Sequence, residues 1–244
     1  LYEDPLRNLP AELADRYHLL TGVPLTLDLQ NNSLVGFIGS RENLYTLLWE
    51  ILLNLIALHP YDEVKLAIVT PPKTAEDFAP FLNVPHIWSA DKRVRFFATT
   101  PEETHFLFGT IEEEQNRREN VSDSTVSALP HYVLVITDPA LIEQESILRR
   151  LEDPRKRVGI TILFAYGDIV KLPKFCTTIV QRDKTLTGYY IKNKNANRLT
   201  PFVLDLVDFW KVEDFAQKLS RMPIRRDFRS LGIPDRVPFL QMYR

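Results

Sequence analysis

Only one cysteine, Cys176, occurs in 244 residues. That excludes an internal disulfide framework and a multi-cysteine zinc site. Glycine is scarce as well, with 8 against 17 prolines. An extended phosphate-cradling loop spends several glycines in one place, so this balance argues against one. No G-x-G-x-x-G occurs anywhere, which counts against a dinucleotide site. The five histidines, His18, His59, His86, His105 and His131, include no pair at a metal-ligand spacing, so no metal site is expected. No apolar run reaches about 18 residues, so no segment is expected to insert in a membrane. Neither sign of charge dominates: 30 Lys and Arg face 32 Asp and Glu, a net charge of -2. A nucleic-acid partner, which needs a basic face, is therefore not expected. The polar start, Leu1-Tyr2-Glu3-Asp4-Pro5, has no apolar h-region, so no signal peptide is expected. It also lacks an initiator methionine, which suggests a piece cut from a longer chain. The sequons at Asn31 and Asn120 then read as coincidence.

What is present is an ample supply of core. Hydrophobic residues make up 45% and charged residues 25%, the balance of a globular protein. Short β-rich runs alternate with helical stretches. Helices are expected over 10–20, 41–58, 74–82, 101–120, 139–151 and 212–221, with Thr74 capping the third (Asp77 three residues on) and Thr100 the fourth, ahead of Pro101 and two acids. Strands are expected over 25–29, 34–38, 64–70, 94–98, 132–137 and 158–165, with an edge hairpin around Asp183-Lys184. The runs at 64–69, 133–137 and 160–164 are continuously apolar, as buried parallel strands are. The predicted fold is a three-layer α/β domain: a mostly parallel sheet with helices on both faces and short antiparallel additions near the C-terminus. No composition shift marks a boundary, so residues 1–244 read as a single domain. Residues 1–22 form an N-terminal helix and lead-in, and 223–244 a linker.

One turn has the setting of a P-loop. Leu34-Val35-Gly36-Phe37-Ile38 runs into Gly39-Ser40-Arg41-Glu42-Asn43-Leu44-Tyr45-Thr46 and then a helix. Against G-x-x-x-x-G-K-[ST], Gly39 matches the first glycine and Thr46 the final hydroxyl. Leu44 stands where the second glycine belongs, and Tyr45 where the lysine belongs. A leucine does not let amides approach phosphate, and a tyrosine does not neutralise β/γ charge. The simplest reading is an ordinary strand-to-helix turn with Ser40 as N-cap. The helix that follows is apolar almost all round, with one polar stripe at Thr46, Glu50 and Asn54. Such a helix packs on the sheet and is covered again by another element.

A second run, His131 to Thr137, ends in Asp138 and has the look of a Walker B strand. In P-loop ATPases such an acid helps to hold Mg²⁺, and a following glutamate often polarises water. Here Pro139 follows, and Asp138 at N-cap with Pro139 at N1 is what any helix start prefers. Cys176 reads as core. Glu112 to Glu114 with Arg117 and Arg118 reads as a solvated helix face. The cluster Arg149, Arg150, Arg155, Lys156 and Arg157 reads as a solvated helix end. Pro85-His86-Ile87-Trp88 is either an anchor on the core or an interface element. Pro238 to Tyr243 is a short apolar motif expected to dock on this domain or the next.

Taken in order, several segments resemble one family. They are VPLTLDL (23–29), VGFIGSREN (35–43), LHPYDEVKLAIV (58–69), PHIW (85–88), LPHYVLVITDPALI (129–142), VGITILF (158–164) and IPDRVPFLQMY (233–243). The set is similar to the first cytoplasmic ATPase-like domain of the EssC/EccC membrane ATPases of type VII secretion, in the FtsK/SpoIIIE superfamily, and more to the Firmicute type. The resemblance implies upstream forkhead-associated domains and two membrane helices, with further ATPase domains downstream. It implies a motor that exports small WXG100-type proteins, works with other type VII membrane components, and holds this domain at the cytoplasmic side of the membrane.

Three readings follow. In the first, Gly39, Ser40, Arg41, Thr46 and Asp138 are a vestigial nucleotide site that carries out no catalysis and takes no cofactor, and the domain relays between its neighbours. In the second, the site is an atypical working ATPase. Arg41 replaces the lysine, and Asp138 with Thr46 holds Mg²⁺ beside ATP. In the third, the domain is a Rossmann-like module for a small ligand.

Overall fold

The continuous apolar runs of the sequence lie side by side in one sheet. Strands β1 (Leu34–Ile38), β2 (Val64–Val69) and β5 (Ile160–Tyr166) are buried at every residue. Strand β4 (His131–Ile136) is buried at all but its first. A strand with both faces covered has no use for alternating polarity, which is why these runs read as solid hydrophobic blocks. The computed structural model describes residues 8–18, 22–89, 91–119, 130–145, 149, 153, 159–176, 178–182, 189–193, 198–204 and 207–222.

The remaining strands are β3 (Phe97–Ala98), β6 (Thr178–Arg182), β7 (Tyr189–Asn193) and β8 (Arg198–Phe202). The sheet runs β3-β2-β4-β5-β1-β6-β7-β8. Every pairing from β3 to β6 is parallel, and β6-β7 and β7-β8 are antiparallel. The expected mostly parallel sheet with an antiparallel extension is therefore present. Strand β8 is an addition to the expectation. It carries Pro201, paired with Tyr190 on the last strand of the described sheet, and edge strands are where proline is tolerated.

Among the described residues, helices α1 (Leu9–Arg16), α2 (Arg41–Leu58), α3 (Pro101–Glu119) and α4 (Phe209–Ser220) accompany the sheet. Helix α2 carries the chain from β1 leftwards in the sheet order to β2, and α3 carries it rightwards from β3 to β4. Parallel crossovers are right-handed, so the two helices lie on opposite faces. No helix among the described residues is long and apolar enough to cross a membrane.

Several local expectations change. Residues 25–29 are not a strand. Asp28 turns the chain by accepting the amides of Gln30 and Asn31, and the Leu29 carbonyl takes the Thr161 hydroxyl. Strand 94–98 shrinks to Phe97–Ala98, because Arg95 bridges back to Trp88. The predicted helix over 74–82 is a 3-10 segment, Pro72–Asn83, with Pro80 inside it. Pro80 supplies no amide for an α-helical bond. Thr74 does not cap this segment either. Its hydroxyl pairs with Thr70 at 2.7 Å, and Thr70 in turn receives the Thr137 hydroxyl. The predicted helix over 139–151 begins as a single 3-10 turn, Pro139–Leu141, whose amides reach three residues back and which leads into buried Ile142. The start of α3 follows expectation. Thr100 accepts the Glu103 amide, and Glu103 accepts from Thr99. Pro85-His86-Ile87 anchors on the core as a buried 3-10 turn, and Arg95 stacks on the Trp88 ring. The tip at Asp183-Lys184, most of the basic cluster from Arg150 to Arg157, and the tail from 223 lie outside the described residues.

The α2 reading is fulfilled in detail. Its sheet side buries Leu44, Leu48, Leu52 and Ile56. Its far side is covered by Pro72–Asn83 and by the segment that ends in α4. The Trp49 ring packs on Phe209 in a tilted arrangement, centroids 4.7 Å apart, and its indole N–H donates to the Asp77 carbonyl at 2.8 Å. Glu50, only 9% exposed, accepts the Val207 amide at 2.6 Å. Asn54 donates to the Glu50 carbonyl.

Three core positions leave little freedom of residue type or charge: Gly36, Lys65 and His86. At Gly36 a Cβ would stand 2.5 Å from Leu172 and 3.2 Å from the Cys176 sulfur, which is itself fully buried between the Leu34 and Thr178 carbonyls. Lys65, on β2, is 4% exposed, with its ammonium 5.3 Å from the Tyr61 ring centre. Burial lowers its pKa to about 8, against a smaller raising effect of Asp62. Beside it His86 is buried. Its Nε2 donates to the His59 carbonyl, which leaves Nδ1 a bare acceptor with no partner among the described residues. Burial lowers the His86 pKa, and Lys65 adds to that effect.

Gly36→Val is therefore expected to destabilise the chain by about 1–3 kcal/mol in urea unfolding, because the new methyls overlap Leu172 and Cys176. Lys65→Met is expected to stabilise it near neutral pH by about 1–4 kcal/mol. A lysine whose folded pKa is depressed costs most below that pKa. The penalty fades as the pH rises from about 8 toward 10.5. The advantage of Lys65→Met should shrink over that same window in pH-dependent unfolding.

Candidate functional site

In a doubly wound sheet, ligands sit beyond the carboxyl ends of the strands, where neighbouring connections depart in opposite directions. Strands β1 and β5 meet that condition here. The chain leaves β1 leftwards through α2, and leaves β5 rightwards to β6. The turn after β1 is Gly39-Ser40, and the turn after β5 is Gly167-Asp168. The two glycines stand side by side: a Cβ on Gly167 would lie 3.6 Å from the Gly39 carbonyl.

The sequence candidates divide between two places. Gly39, Ser40, Arg41 and Thr46 lie together at the β1–α2 turn. Asp138 ends β4, with β5 between it and β1, so two strand spacings of about 5 Å each separate the two halves. The registers pair Ile38 with Tyr166 and Ile136 with Phe164. Continued two residues, the second register sets Asp138 level with Tyr166. Among the described residues no hydrogen bond joins Asp138 to the Gly39 turn.

Each candidate is engaged locally. Ser40 has the extended backbone of an N-cap, but its hydroxyl accepts the Asn43 side-chain amide at 2.7 Å and makes no side-chain bond to a backbone amide. Thr46 donates to the Glu42 carbonyl at 2.9 Å, the usual back-bond of a helical threonine. Arg41 pairs with Asp77 and lies 5.5 Å from the Tyr45 ring centre. The Asp77 carboxylate raises the guanidinium pKa by hydrogen bond and charge. Asp138 accepts the Ala140 amide at 3.0 Å, the cap that the sequence suggested.

The two departures from the P-loop pattern are both core residues. Leu44 is 5% exposed and Tyr45 is 9% exposed. The Tyr45 ring packs at 5.3 Å against fully buried Phe78. A lysine reaching from this place to β- and γ-phosphates would have to leave the core. The Arg41 guanidinium, already paired with Asp77, would share its charge with any anion at the turn. The residues present therefore do not fit a Mg²⁺–ATP site of the usual P-loop kind.

Two residues near the site escaped sequence reading. Asp77 had the look of a local capping partner for Thr74; its real partner is 36 residues away. Tyr166 lies one residue past the strand expected over 158–165, and nothing in the sequence singled it out; it is the last residue of β5. It is 1% exposed, and its hydroxyl has no hydrogen-bond partner among the described residues. Burial raises its pKa, and the charges of Asp138 and Cys176 add to the rise. No group of His, Cys, Asp and Glu side chains able to hold a metal occurs among the described residues.

No family model matches the chain. Whole-length similarity is nevertheless clear. The type VII secretion system protein EssC of Staphylococcus aureus (strain NCTC 8325 / PS 47) is 28% identical over 98% of this chain. The ESX secretion system protein EccC of Geobacillus thermodenitrificans (strain NG80-2) is 22% identical over 98% of it. The match takes up 16% of each relative, so this chain spans about one sixth of their length. Among solved structures, Thermomonospora curvata EccC (ATPases 2 and 3), in complex with a signal sequence peptide, superposes with a TM-score of 0.60. That match covers 90% of this chain and 48% of that one at 13% identity. The cytoplasmic domain of EssC superposes with a TM-score of 0.55, over 86% of this chain and 47% of that one, also at 13% identity. At that identity the superpositions establish the fold, which is that of the EssC/EccC ATPase domains. A P-loop-like sheet, a β1–α2 turn in the P-loop position and similarity along the whole chain lead to one conclusion: the chain is a homologue of the EssC/EccC type VII secretion proteins.

Proposed function

We propose that this chain is a non-hydrolysing ATPase-like domain of a type VII secretion motor, the first of its cytoplasmic ATPase-like domains. It acts by contact, between a membrane part and the ATPase domains that follow in the same polypeptide. The observation that carries the reading is the Tyr45 ring packed into the core where a catalytic P-loop extends lysine. Arg41, held by Asp77, and Asp138, spent on a helix-type cap and followed by proline, support it. Position at the cytoplasmic side of the membrane is part of the proposal. So are the other type VII membrane components, and WXG100-type substrates reached through the longer protein. Vestigial contacts to a nucleotide, if any, would use Gly39, Ser40, Arg41, Thr46 and Asp138.

Calorimetric titration with Mg²⁺–ATP, paired with phosphate release on the same sample, tests the reading. The expected outcome is no turnover. Release that Asp138→Ala abolishes would overturn it in favour of the atypical ATPase. Tyr45→Lys sharpens the test. It should fail to create turnover and should destabilise the chain by about 2–4 kcal/mol, because it empties a ring-sized space beside Phe78 and brings a charge to it. A stable Tyr45→Lys variant that hydrolyses ATP would mean that the site lacks nothing but its lysine.

A further inference from the structure

The residues that spoil the P-loop pattern build something else. Tyr45 packs on Phe78, and Phe78 fixes the adjoining residue, Asp77, over the first turn of α2. Asp77 then makes two contacts with α2 from its two ends. Its carboxylate holds the Arg41 guanidinium, and its carbonyl accepts the Trp49 indole N–H at 2.8 Å. Two helical turns beyond Arg41, the Trp49 ring packs on Phe209, the first residue of α4, with centroids 4.7 Å apart. Glu50, the next residue, holds the Val207 amide at 2.6 Å, just ahead of that helix. Helix α4 also packs directly on Pro72–Asn83, the segment that carries Asp77.

From this continuous set of contacts we infer that Asp77 couples the β1–α2 turn to α4. The ion pair Arg41–Asp77 is the closed state of a strap. While it holds, Pro72–Asn83 is clamped to α2, and the indole and Phe209 seat the start of α4. Anything that takes Arg41 away from Asp77, an anion at the turn or a partner's carboxylate, weakens the seating of α4. The converse must also hold, since coupling between two sites is reciprocal. This deepens the relay reading given above and rests on it for its purpose: a domain that performs no chemistry still needs a route by which its turn and its last helix affect each other. Its geometry, however, does not depend on whether nucleotide binds.

Both ends of the pair are partly open to solvent, with side-chain exposures of 59% for Arg41 and 29% for Asp77. The pair can therefore be broken without emptying the core. The ring contact Tyr45–Phe78 and the carbonyl–indole bond remain when it breaks, so the strap loosens rather than detaches.

The test is backbone hydrogen exchange on the nucleotide-free chain, comparing the parent with Arg41→Gln and Asp77→Asn. Each variant should speed exchange in the first turns of α4 by about five- to tenfold, with β1, β2, β4 and β5 unchanged. Phe209→Ala should speed exchange in the Pro72–Asn83 segment and at the first turn of α2. Combined with Arg41→Gln, it should add less than the sum of the two single effects. Exchange in α4 that stays at the parent rate in both Arg41→Gln and Asp77→Asn, while the first turn of α2 responds, would falsify the coupling. Because no ATP enters the measurement, that failure leaves the non-hydrolysing reading standing, and ATP turnover would leave the coupling standing.

Discussion

Helix α2 is buried or half-buried on two sides through its middle turns, and the rest of the molecule is arranged around that constraint. One side lies on the sheet through Leu44, Leu48, Leu52 and Ile56. A helix that is apolar on its other side as well must be covered there too, or it exposes a large greasy patch. The cover comes from Pro72–Asn83 and α4. The polar groups that α2 does carry inward are matched one by one: Glu50 by the Val207 amide, Trp49 by the Asp77 carbonyl. Burial of unmatched polar groups is what folding tolerates least, so these bonds fix where the cover sits.

The same constraint explains why the P-loop-like turn is altered. In a working P-loop the first turn of the helix keeps its lysine directed toward phosphate. Here the first turn is recruited to hold Pro72–Asn83 in place. Leu44 and Tyr45 point into the interior, and Arg41 is engaged by an acid of the covering segment. In the non-hydrolysing reading proposed above, packing and phosphate chemistry compete for one turn of helix, and packing has it. At the far end of the crevice, the Asp138 carboxylate is likewise turned to holding its own backbone at Ala140.

The sheet keeps the architecture on which ligand sites are built even so. Strand β5 separates β1 from β4, and the two turns Gly39-Ser40 and Gly167-Asp168 lie side by side at the switch of direction. Tyr166, the residue before the second turn, is fully buried, and its hydroxyl has no partner among the described residues. The fold of the EssC/EccC ATPase domains is thus present, and Ser40 and Asp138 beyond its strand ends bond to their own near neighbours in sequence.

The parallel core was legible in the sequence because burial on both faces leaves a direct trace: β1, β2, β4 and β5 are predominantly apolar runs, with Lys65, His131 and Thr161 as their polar members, and α2 shows its double coverage in its own composition. The caps at Thr100 and Asp138 were legible for the same kind of reason, since a cap is made by residues two or three apart. The segments that changed are those whose conformation is set by distant partners. Residues 25–29 have strand-like residues, but the turn at Asp28 and the Thr161 hydroxyl decide their path. Thr74 was taken from its cap by Thr70, and Asp77 by Arg41. At the candidate site, sequence alone told which residues are missing from a P-loop. Only the tertiary structure decided what stands in their place, because a side chain's neighbour 36 residues away is chosen by the packing of helix on segment and leaves no local signature.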